Sequence, residues 1–459
     1  MLYDDMEYGY YTEAEKKARQ AYEHYEDGNL SQALNELETA LELNPSNSSW
    51  HFNKALTLDS AGCFEEAIKE YEIALQLNPN DLETLNSLAV DYTRVGHYDM
   101  AIDIFKYIEE LDPEFEPCYC NRIITYTEME QHQKAEEMFY LAQQINPDCP
   151  LCYYNIGNSL FVRGDYKKAI HCWQRTAQLE PSHPEINYRI AQAYWAQGEL
   201  DKARSHFLAE LRGNPGEVEV ILDFGLFLLE SGEPDAAKEK FQRALEMEPE
   251  HSLALFYLGE ISFEKGDFSR AQQLFEQALR ETKHCPELAG PNFRLAQLAL
   301  LRGHKQKAKD YLFIELNKSP DNAEVLVSMG SLFLQITDYD HCAYCLLRAA
   351  DIDSNNAACY YYLGLVSALK GRLEEASEFL NHSLYLNPND PFALRDSAAV
   401  LLEAGELEQA GSRLRKAREA GAYERDLSSL ERRVKAARLK RNISEILSNL
   451  KARLLLRLF

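Results

Sequence analysis

The residues of this chain best suited to chemistry are cysteines that occur in closely spaced groups. They are Cys118, Cys120, Cys149 and Cys152 in one group, and Cys342, Cys345 and Cys359 in another. Four thiolates that converge tetrahedrally bind zinc, and two that meet can act as a redox pair. Cysteine also packs between helices as a small apolar residue. We adopt packing as the interpretation, with no metal and no cofactor, and leave open whether the first group binds a metal.

No other set of residues indicates catalysis. The sequence contains no phosphate-binding glycine-rich loop, no H-E-x-x-H motif and no nucleophile elbow. Adjacent acids such as Glu65 and Glu66 are typical of a solvated helix face. We therefore predict no catalytic residues and no enzymatic activity.

The elements that position the cysteines follow an internal repeat of 34 residues. One position is alanine in eleven of twelve segments: Ala33, Ala67, Ala101, Ala135, Ala169, Ala203, Ala237, Ala271, Ala308, Ala376 and Ala410. Cys342 fills the remaining segment, and the spacing lengthens to 37 between Ala271 and Ala308. A 34-residue period of helix-turn-helix character is the signature of a solenoid.

Glycine and proline mark the ends of the helices within each repeat. The glycines are Gly28, Gly62, Gly96, Gly164, Gly198, Gly232, Gly266, Gly303, Gly371 and Gly405, with Glu130 and Thr337 in the other two segments. The prolines are Pro45, Pro79, Pro113, Pro147, Pro181, Pro215, Pro249, Pro286, Pro320 and Pro388. Glycine allows the left-handed conformation that ends a helix, and proline cannot continue a helix interior.

This pattern resembles the tetratricopeptide repeat family over residues 14 to about 424. The resemblance implies an all-α, right-handed superhelical solenoid of about twelve helix-turn-helix repeats. We expect residues 1–13 to be an acidic, tyrosine-rich extension. Repeats 1–8 are predicted over 14–286 and repeats 9–12 over 287–424, with a changed superhelical path at the longer junction. Residues 425–459 are predicted to form a basic pair of amphipathic helices that caps the last repeat.

Charge limits the class of partner. The net charge is −26, although the last 37 residues hold ten Lys or Arg against four Asp or Glu. An acidic surface repels phosphate backbones, so we predict no nucleic-acid binding and a protein or peptide ligand, favouring a basic one. No export signal or membrane span is evident, which predicts a cytoplasmic protein. The alternative function is a membrane-peripheral assembly factor, with membrane contact only through residues 443–459.

The resemblance also implies a binding surface, because first helices of the family line a concave face where ligands lie. Aromatic and polar residues at the fifth, sixth, ninth and twelfth positions of the repeat concentrate in repeats five and six. The predicted peptide-binding residues are Asn53, Asn121, Tyr154, Asn155, Asn158, Phe161, Tyr188, Arg189 and Trp195. Tyr, Trp and Arg are enriched at binding hot spots, and asparagine can pair with a peptide backbone. The alternative is that these side chains only pack between neighbouring first helices.

Overall fold

The computed structural model describes residues 4–280, 290–318 and 320–455, and the side chains of all these residues except 4–12, 443 and 445–455. Within these ranges the chain forms 25 helices, α1 to α25, and no strand. Among the described residues, eleven pairs of consecutive helices pack together, α1/α2 to α11/α12 and α15/α16 to α23/α24, each pair matching one predicted repeat. This confirms an all-α repeat solenoid.

The chain divides into two compact units, Met1–Glu233 and Pro234–Phe459. In the first unit, the first helices of the repeats are α1 (Asp4–Glu26), α3 (Ser48–Ser60), α5 (Leu82–Arg94), α7 (Glu116–Glu128), α9 (Pro150–Val162), α11 (Ile186–Ala196) and α13 (Val218–Glu230). The second helices of this unit are α2 (Leu30–Leu43), α4 (Phe64–Leu77), α6 (Tyr98–Leu111), α8 (His132–Ile145), α10 (Tyr166–Leu179) and α12 (Leu200–Gly213). The first helices α1, α3, α5, α7, α9 and α11 each pack against their own second helix, and α7 also packs against α5 and α9.

The second unit continues the same alternation. Its helices are α14 (Pro234–Met247), α15 (Ser252–Glu264), α16 (Phe268–Arg280), α17 (Pro291–Leu301), α18 (Lys305–Asn317), α19 (Ala323–Ile336), α20 (Tyr339–Ile352), α21 (Ala357–Leu369), α22 (Leu373–Leu386), α23 (Pro391–Glu403), α24 (Leu407–Glu419) and α25 (Glu424–Leu455). The predicted boundary at 286/287 and the predicted change of path at this junction fall on residues 281–289, which lie outside the described residues. They remain predictions.

The repeated alanine is buried in every repeat. All eleven alanines, and Cys342 in the twelfth segment, have no exposed surface. Glycine in a first helix makes a close contact with the second helix of its pair. A Cβ added to Gly259 would lie 2.5 Å from Phe275, and one added to Gly157 would lie 2.6 Å from Trp173. These two glycines are therefore required by packing, since each faces a large buried side chain of the partner helix.

The turn between the two helices requires a left-handed residue in every repeat. The ten glycines of this column have φ between +75° and +87°, and Glu130 and Thr337 adopt φ of 57° and 70° without being glycine. A β-branched residue at positive φ is strained, because its Cβ approaches the neighbouring carbonyl oxygen.

Replacing Thr337 by glycine is therefore expected to raise the free energy of unfolding by about 1 kcal/mol. The matched control is Gly371→Thr, which introduces the same strain at the equivalent turn and is expected to lower stability by a similar amount. Urea titrations monitored by circular dichroism measure both changes in the free energy of unfolding. Loss of stability in Thr337→Gly would show that the threonine side chain contributes more than its backbone strain costs.

Two terminal predictions require correction. The predicted extension at residues 1–13 is helical from Asp4 and continues into the first helix of repeat one. The predicted C-terminal pair is a single helix, α25, because residues 435–442 contain no proline or glycine to end it. Leu427 and Val434 of α25 are buried against α24, so the first half of this helix covers the last repeat.

A buried carboxylate in α5 makes the first unit sensitive to pH. Asp91 accepts a hydrogen bond from Arg94 at 3.0 Å, and Arg94 also pairs with Asp59. Burial, together with the neighbouring Asp59 charge, raises the pKa of Asp91 to about 7. The folded protein therefore holds a proton that the unfolded chain releases near pH 4. The contribution of Asp91 to the free energy of unfolding is therefore greatest at low pH, and it falls as the pH rises to about 7.

Asp91→Asn is expected to remove this dependence. The stability of the variant relative to wild type should be higher at pH 8 than at pH 5, because only the wild type has a buried carboxylate to ionise. Exposed Asp99 provides a control: Asp99→Asn should leave the wild-type pH dependence in place. Urea unfolding at both pH values checks the difference. If the difference in free energy of unfolding between Asp91→Asn and wild type were the same at pH 5 and pH 8, the raised pKa of Asp91 would be contradicted.

Candidate functional site

The predicted binding residues lie on first helices, and several of them contact the first helix of the neighbouring repeat. The amide of Asn121 donates to the Asn86 side-chain oxygen at 3.0 Å. The buried amide of Asn155 donates to the carbonyl oxygen of Cys120 at 3.1 Å. Asn53 is exposed, so the three predicted asparagines differ in their surroundings.

The centre of the predicted patch is formed by α9 and α11. Tyr154 is half-buried and its ring lies 4.6 Å from that of His183, measured between centroids. Arg189 lies over the Tyr188 ring, and its guanidinium donates to Glu185 at 3.3 Å. Tyr188 is only 2% exposed. Most of Tyr188 is therefore packed within the repeat stack, whereas Tyr154 and Arg189 keep accessible surface.

Acidic groups of repeat seven meet this patch. The Tyr188 hydroxyl donates to Asp223 at 2.8 Å and lies 3.5 Å from Glu219. Burial, followed by the Asp223 charge, raises the pKa of Tyr188 above its usual range, so the phenol remains a neutral donor. Gln192 also donates to Asp223, at 2.9 Å.

The tryptophan of repeat six has a similar acidic partner. Trp195 is half-buried, packs edge-on against Phe227 and donates its indole N–H to Glu230 at 2.8 Å. In repeat five, Asn158 accepts from Trp173 at 3.2 Å, and Phe161 lies beside the same indole with its centroid 5.8 Å away. Each of these side chains thus has one packed side and one accessible side.

The structure therefore adds carboxylates to the predicted aromatic patch. Glu219 and Glu230 are exposed, and they occupy the second and thirteenth positions of repeat seven. The sequence prediction used only the fifth, sixth, ninth and twelfth positions of each repeat. A comparison of charges at every first-helix position would have found them. We call the following set the repeat 5–7 surface: Tyr154, Phe161, Glu185, Trp195, Glu219 and Glu230.

The first cysteine group converges, but with different members from those suggested by the sequence. Cys118 points away, and its thiol donates to the carbonyl oxygen of Phe105 at 3.2 Å. Glu116 takes its place beside Cys120, Cys149 and Cys152, and the four ligand atoms lie within 4.8 Å of one another. The structure joins Cys120 and Cys152 as a disulfide with Cα atoms 5.1 Å apart. Burial, with Glu116 alongside, raises the pKa of the Cys149 thiol to about 11.

The second cysteine group follows the packing interpretation. Cys342, Cys345 and Cys359 are free thiols with no exposed surface, and they belong to one apolar cluster of the second unit. Burial raises the pKa of each thiol, for Cys342 to about 12. Protonated, inaccessible thiols of this kind are chemically inert.

Comparison with known protein families gives three matches along the chain. Residues 15–156 match the N-terminal tetratricopeptide repeat region of psidin, and residues 154–218 match a tetratricopeptide repeat model. Residues 252–452 match the C-terminal domain of cilia and flagella-associated protein 70. With the packed helix pairs in register, these matches identify the class: the chain is a tetratricopeptide repeat protein.

Among curated proteins, the human protein O-mannosyl-transferase TMTC3 is 31% identical over 116 residues. That match covers 25% of this chain and 13% of the human protein, so the chain spans a small part of its relative. Solved structures with a related fold include the APC/C hetero-tetramer Cut9-Hcn1, at 14% identity and a TM-score of 0.44 over 92% of this chain and 96% of that one. Yeast Tom70 gives 14% identity and a TM-score of 0.38, over 94% and 96% of the two chains.

In the described part of the chain, no helix combines the length and the apolar character needed to cross a bilayer. The side chains of 443 and 445–459, where membrane contact was predicted, lie outside the described side chains. The membrane-peripheral alternative therefore stays a prediction.

Proposed function

We propose that the protein is a non-enzymatic interaction scaffold that binds an extended, basic segment of a partner protein along the repeat 5–7 surface. The tetratricopeptide repeat fold itself supports a role in protein–protein interaction. First helices of the family line the concave face of the solenoid, and we place this surface on the concave side of its repeats for that reason. The observation that carries the proposal is the hydrogen bond from the accessible Trp195 indole to the exposed carboxylate of Glu230 on the next first helix.

The chemistry of the surface favours lysine or arginine in the ligand. Trp195 offers an aromatic face, and the carboxylate of Glu230 lies at its indole nitrogen. A cation is attracted both to the face of an indole and to a neighbouring carboxylate. Glu219 extends the negative charge along the same surface, and the carboxylate of Glu185 is paired with Arg189 of this chain. Tyr154 and Phe161 supply apolar contact next to these charges, as a hot spot requires.

The proposal is tested by removing the charges without removing the packing. In the variant Glu185→Gln, Glu219→Gln, Glu230→Gln, each amide keeps a hydrogen-bond acceptor, including the one for the Trp195 indole. The matched control neutralises three exposed acids on second helices of the same unit: Asp103→Asn, Glu137→Gln, Asp201→Asn. Both variants have the same net charge.

Affinity capture from a native extract, quantified by mass spectrometry, compares the three proteins. Three contacts of about 0.5 kcal/mol each predict roughly a tenfold loss of the partner from the first variant. The control should recover the partner as well as wild type does. Equal loss from both variants would show that only net charge matters, and equal recovery would place binding elsewhere.

A further inference from the structure

We propose that Glu116, Cys120, Cys149 and Cys152 form a four-coordinate site for one zinc ion in the reduced protein. The site joins two neighbouring repeats of the first unit. Glu116 and Cys120 come from α7, Cys149 directly precedes α9, and Cys152 lies in the first turn of α9. It is separate from the repeat 5–7 surface and does not depend on the proposed function.

The sulfurs of Cys120 and Cys149 have the separation of tetrahedral zinc ligands, whereas the Glu116 oxygen lies closer to its two sulfurs than such a set requires. Zinc bonds of about 2.3 Å to sulfur and about 2.0–2.2 Å to oxygen require ligand atoms roughly 3.5–3.8 Å apart. The sulfurs of Cys120 and Cys149 are 3.6 Å apart. The Glu116 oxygen Oε1 lies 2.9 Å from the Cys120 sulfur and 3.1 Å from the Cys152 sulfur. Small side-chain rotations in the reduced protein can therefore complete the tetrahedron.

The position of the Glu116 carboxylate favours a cation over a disulfide alone. One carboxylate oxygen faces two sulfurs, and in a disulfide neither sulfur carries a proton to donate. Such an arrangement places two sulfurs that have no proton to donate against a partly exposed carboxylate, and only the Cys149 thiol is left to donate to it. A zinc ion between the four atoms removes this conflict, because the carboxylate and the thiolates all become its ligands. Binding releases the three thiol protons to solvent.

The surroundings hold the ligands as a structural metal site would. The backbone N–H of Cys152 donates to the Cys149 sulfur at 3.3 Å, at the N-terminal end of α9, where negative charge is favoured. The Asn155 amide fixes the carbonyl of Cys120. Cys120, Cys149 and Cys152 are 0%, 6% and 1% exposed. Four protein ligands in a closed pocket leave no open coordination position, which is typical of structural zinc.

The ligand set also separates this site from ordinary cysteine packing. Among the described residues, the second cysteine group does not bring three metal-ligating atoms together, and its thiols belong to an apolar cluster. Cys118 is as buried as Cys120 but donates to a backbone carbonyl away from the other sulfurs. Cys118 is thus a matched control for loss of a buried thiol near the site.

The experiment uses the full chain kept reduced by a phosphine, stripped of metal and then titrated with Zn²⁺ against a chromogenic chelator. Wild type and Cys118→Ser are expected to bind one zinc ion per chain. Cys149→Ser should lose at least the roughly 10–100-fold in affinity that even an outer-shell change costs. Titration with Co²⁺ should give the visible bands of a tetrahedral thiolate complex in the first two proteins only.

A second variant covers the case in which Cys149→Ser does not fold. Glu116→Gln keeps all three sulfurs and is expected to weaken Zn²⁺ binding while circular dichroism shows unchanged helicity. Failure of reduced wild type to bind Zn²⁺ would overturn the site. So would Zn²⁺ affinities of Cys149→Ser and Glu116→Gln, where folded, that equal the wild-type affinity.

Discussion

Replacing Phe275 by alanine is expected to lower the free energy of unfolding by about 3–5 kcal/mol. Phe275 is fully buried in α16, and its ring lies against Gly259 in α15. The reason is that the ring fills the space left by the glycine, so its removal opens a cavity between two helices of one repeat. Urea unfolding measures the change.

The same contact predicts that Gly259→Ala lowers the free energy of unfolding in wild type and raises it in the Phe275→Ala background. In wild type the added methyl meets Phe275 at 2.5 Å, and overpacking costs about 1–3 kcal/mol. In the Phe275→Ala background that clash is gone, and the higher helix propensity of alanine should stabilise by up to about 1 kcal/mol. Gly213→Ala is the control, because nothing lies within 4 Å of a Cβ at that helical position. If Gly259→Ala destabilised both backgrounds equally, the close approach would not be set by this pair.

Tyr188→Phe is expected to lower the free energy of unfolding by about 2 kcal/mol. The substitution deletes one hydroxyl that is buried and hydrogen-bonded to the carboxylate of Asp223. Hydrogen bonds to charged groups contribute about 1.5–3 kcal/mol, and Asp223 retains its bond from Gln192. Thermal and urea unfolding check the effect on stability.

The control for this substitution is Tyr107→Phe. It deletes a hydroxyl that bonds to Asn80 at 2.8 Å in an exposed place, so we expect a change within about 0.5 kcal/mol. A loss for Tyr188→Phe no larger than for Tyr107→Phe would mean that the inter-repeat hydrogen bond contributes little.

Much of the fold could be predicted because each repeat must satisfy the same local requirements. The buried alanine and the left-handed turn are imposed by helix contact and chain reversal, so they recur in sequence and mark every helix pair. The termini lack these constraints. Helix α25 lies at the end of the array, where it packs against α24 and α23, and the repeat does not indicate where such a terminal helix ends.

The candidate sites were less predictable, because the position of a residue within the repeat does not indicate which groups its side chain contacts. Tyr188 and Trp195 bond to carboxylates 35 residues further along, in the next repeat. The cysteine group could have been assigned better from helix geometry alone. Residues four apart share a helix face and residues two apart do not, so Glu116, not Cys118, accompanies Cys120.

The most direct test of the proposed binding surface is site-specific photo-crosslinking in a native extract. A photo-reactive amino acid is placed at Val162, which is 64% exposed and lies one helical turn from Asn158 on α9. The control position is Tyr140, 60% exposed on the second helix α8. We predict that a basic segment of a partner protein is crosslinked from position 162 and not from position 140. Crosslinking from position 140 alone would contradict binding along the repeat 5–7 surface.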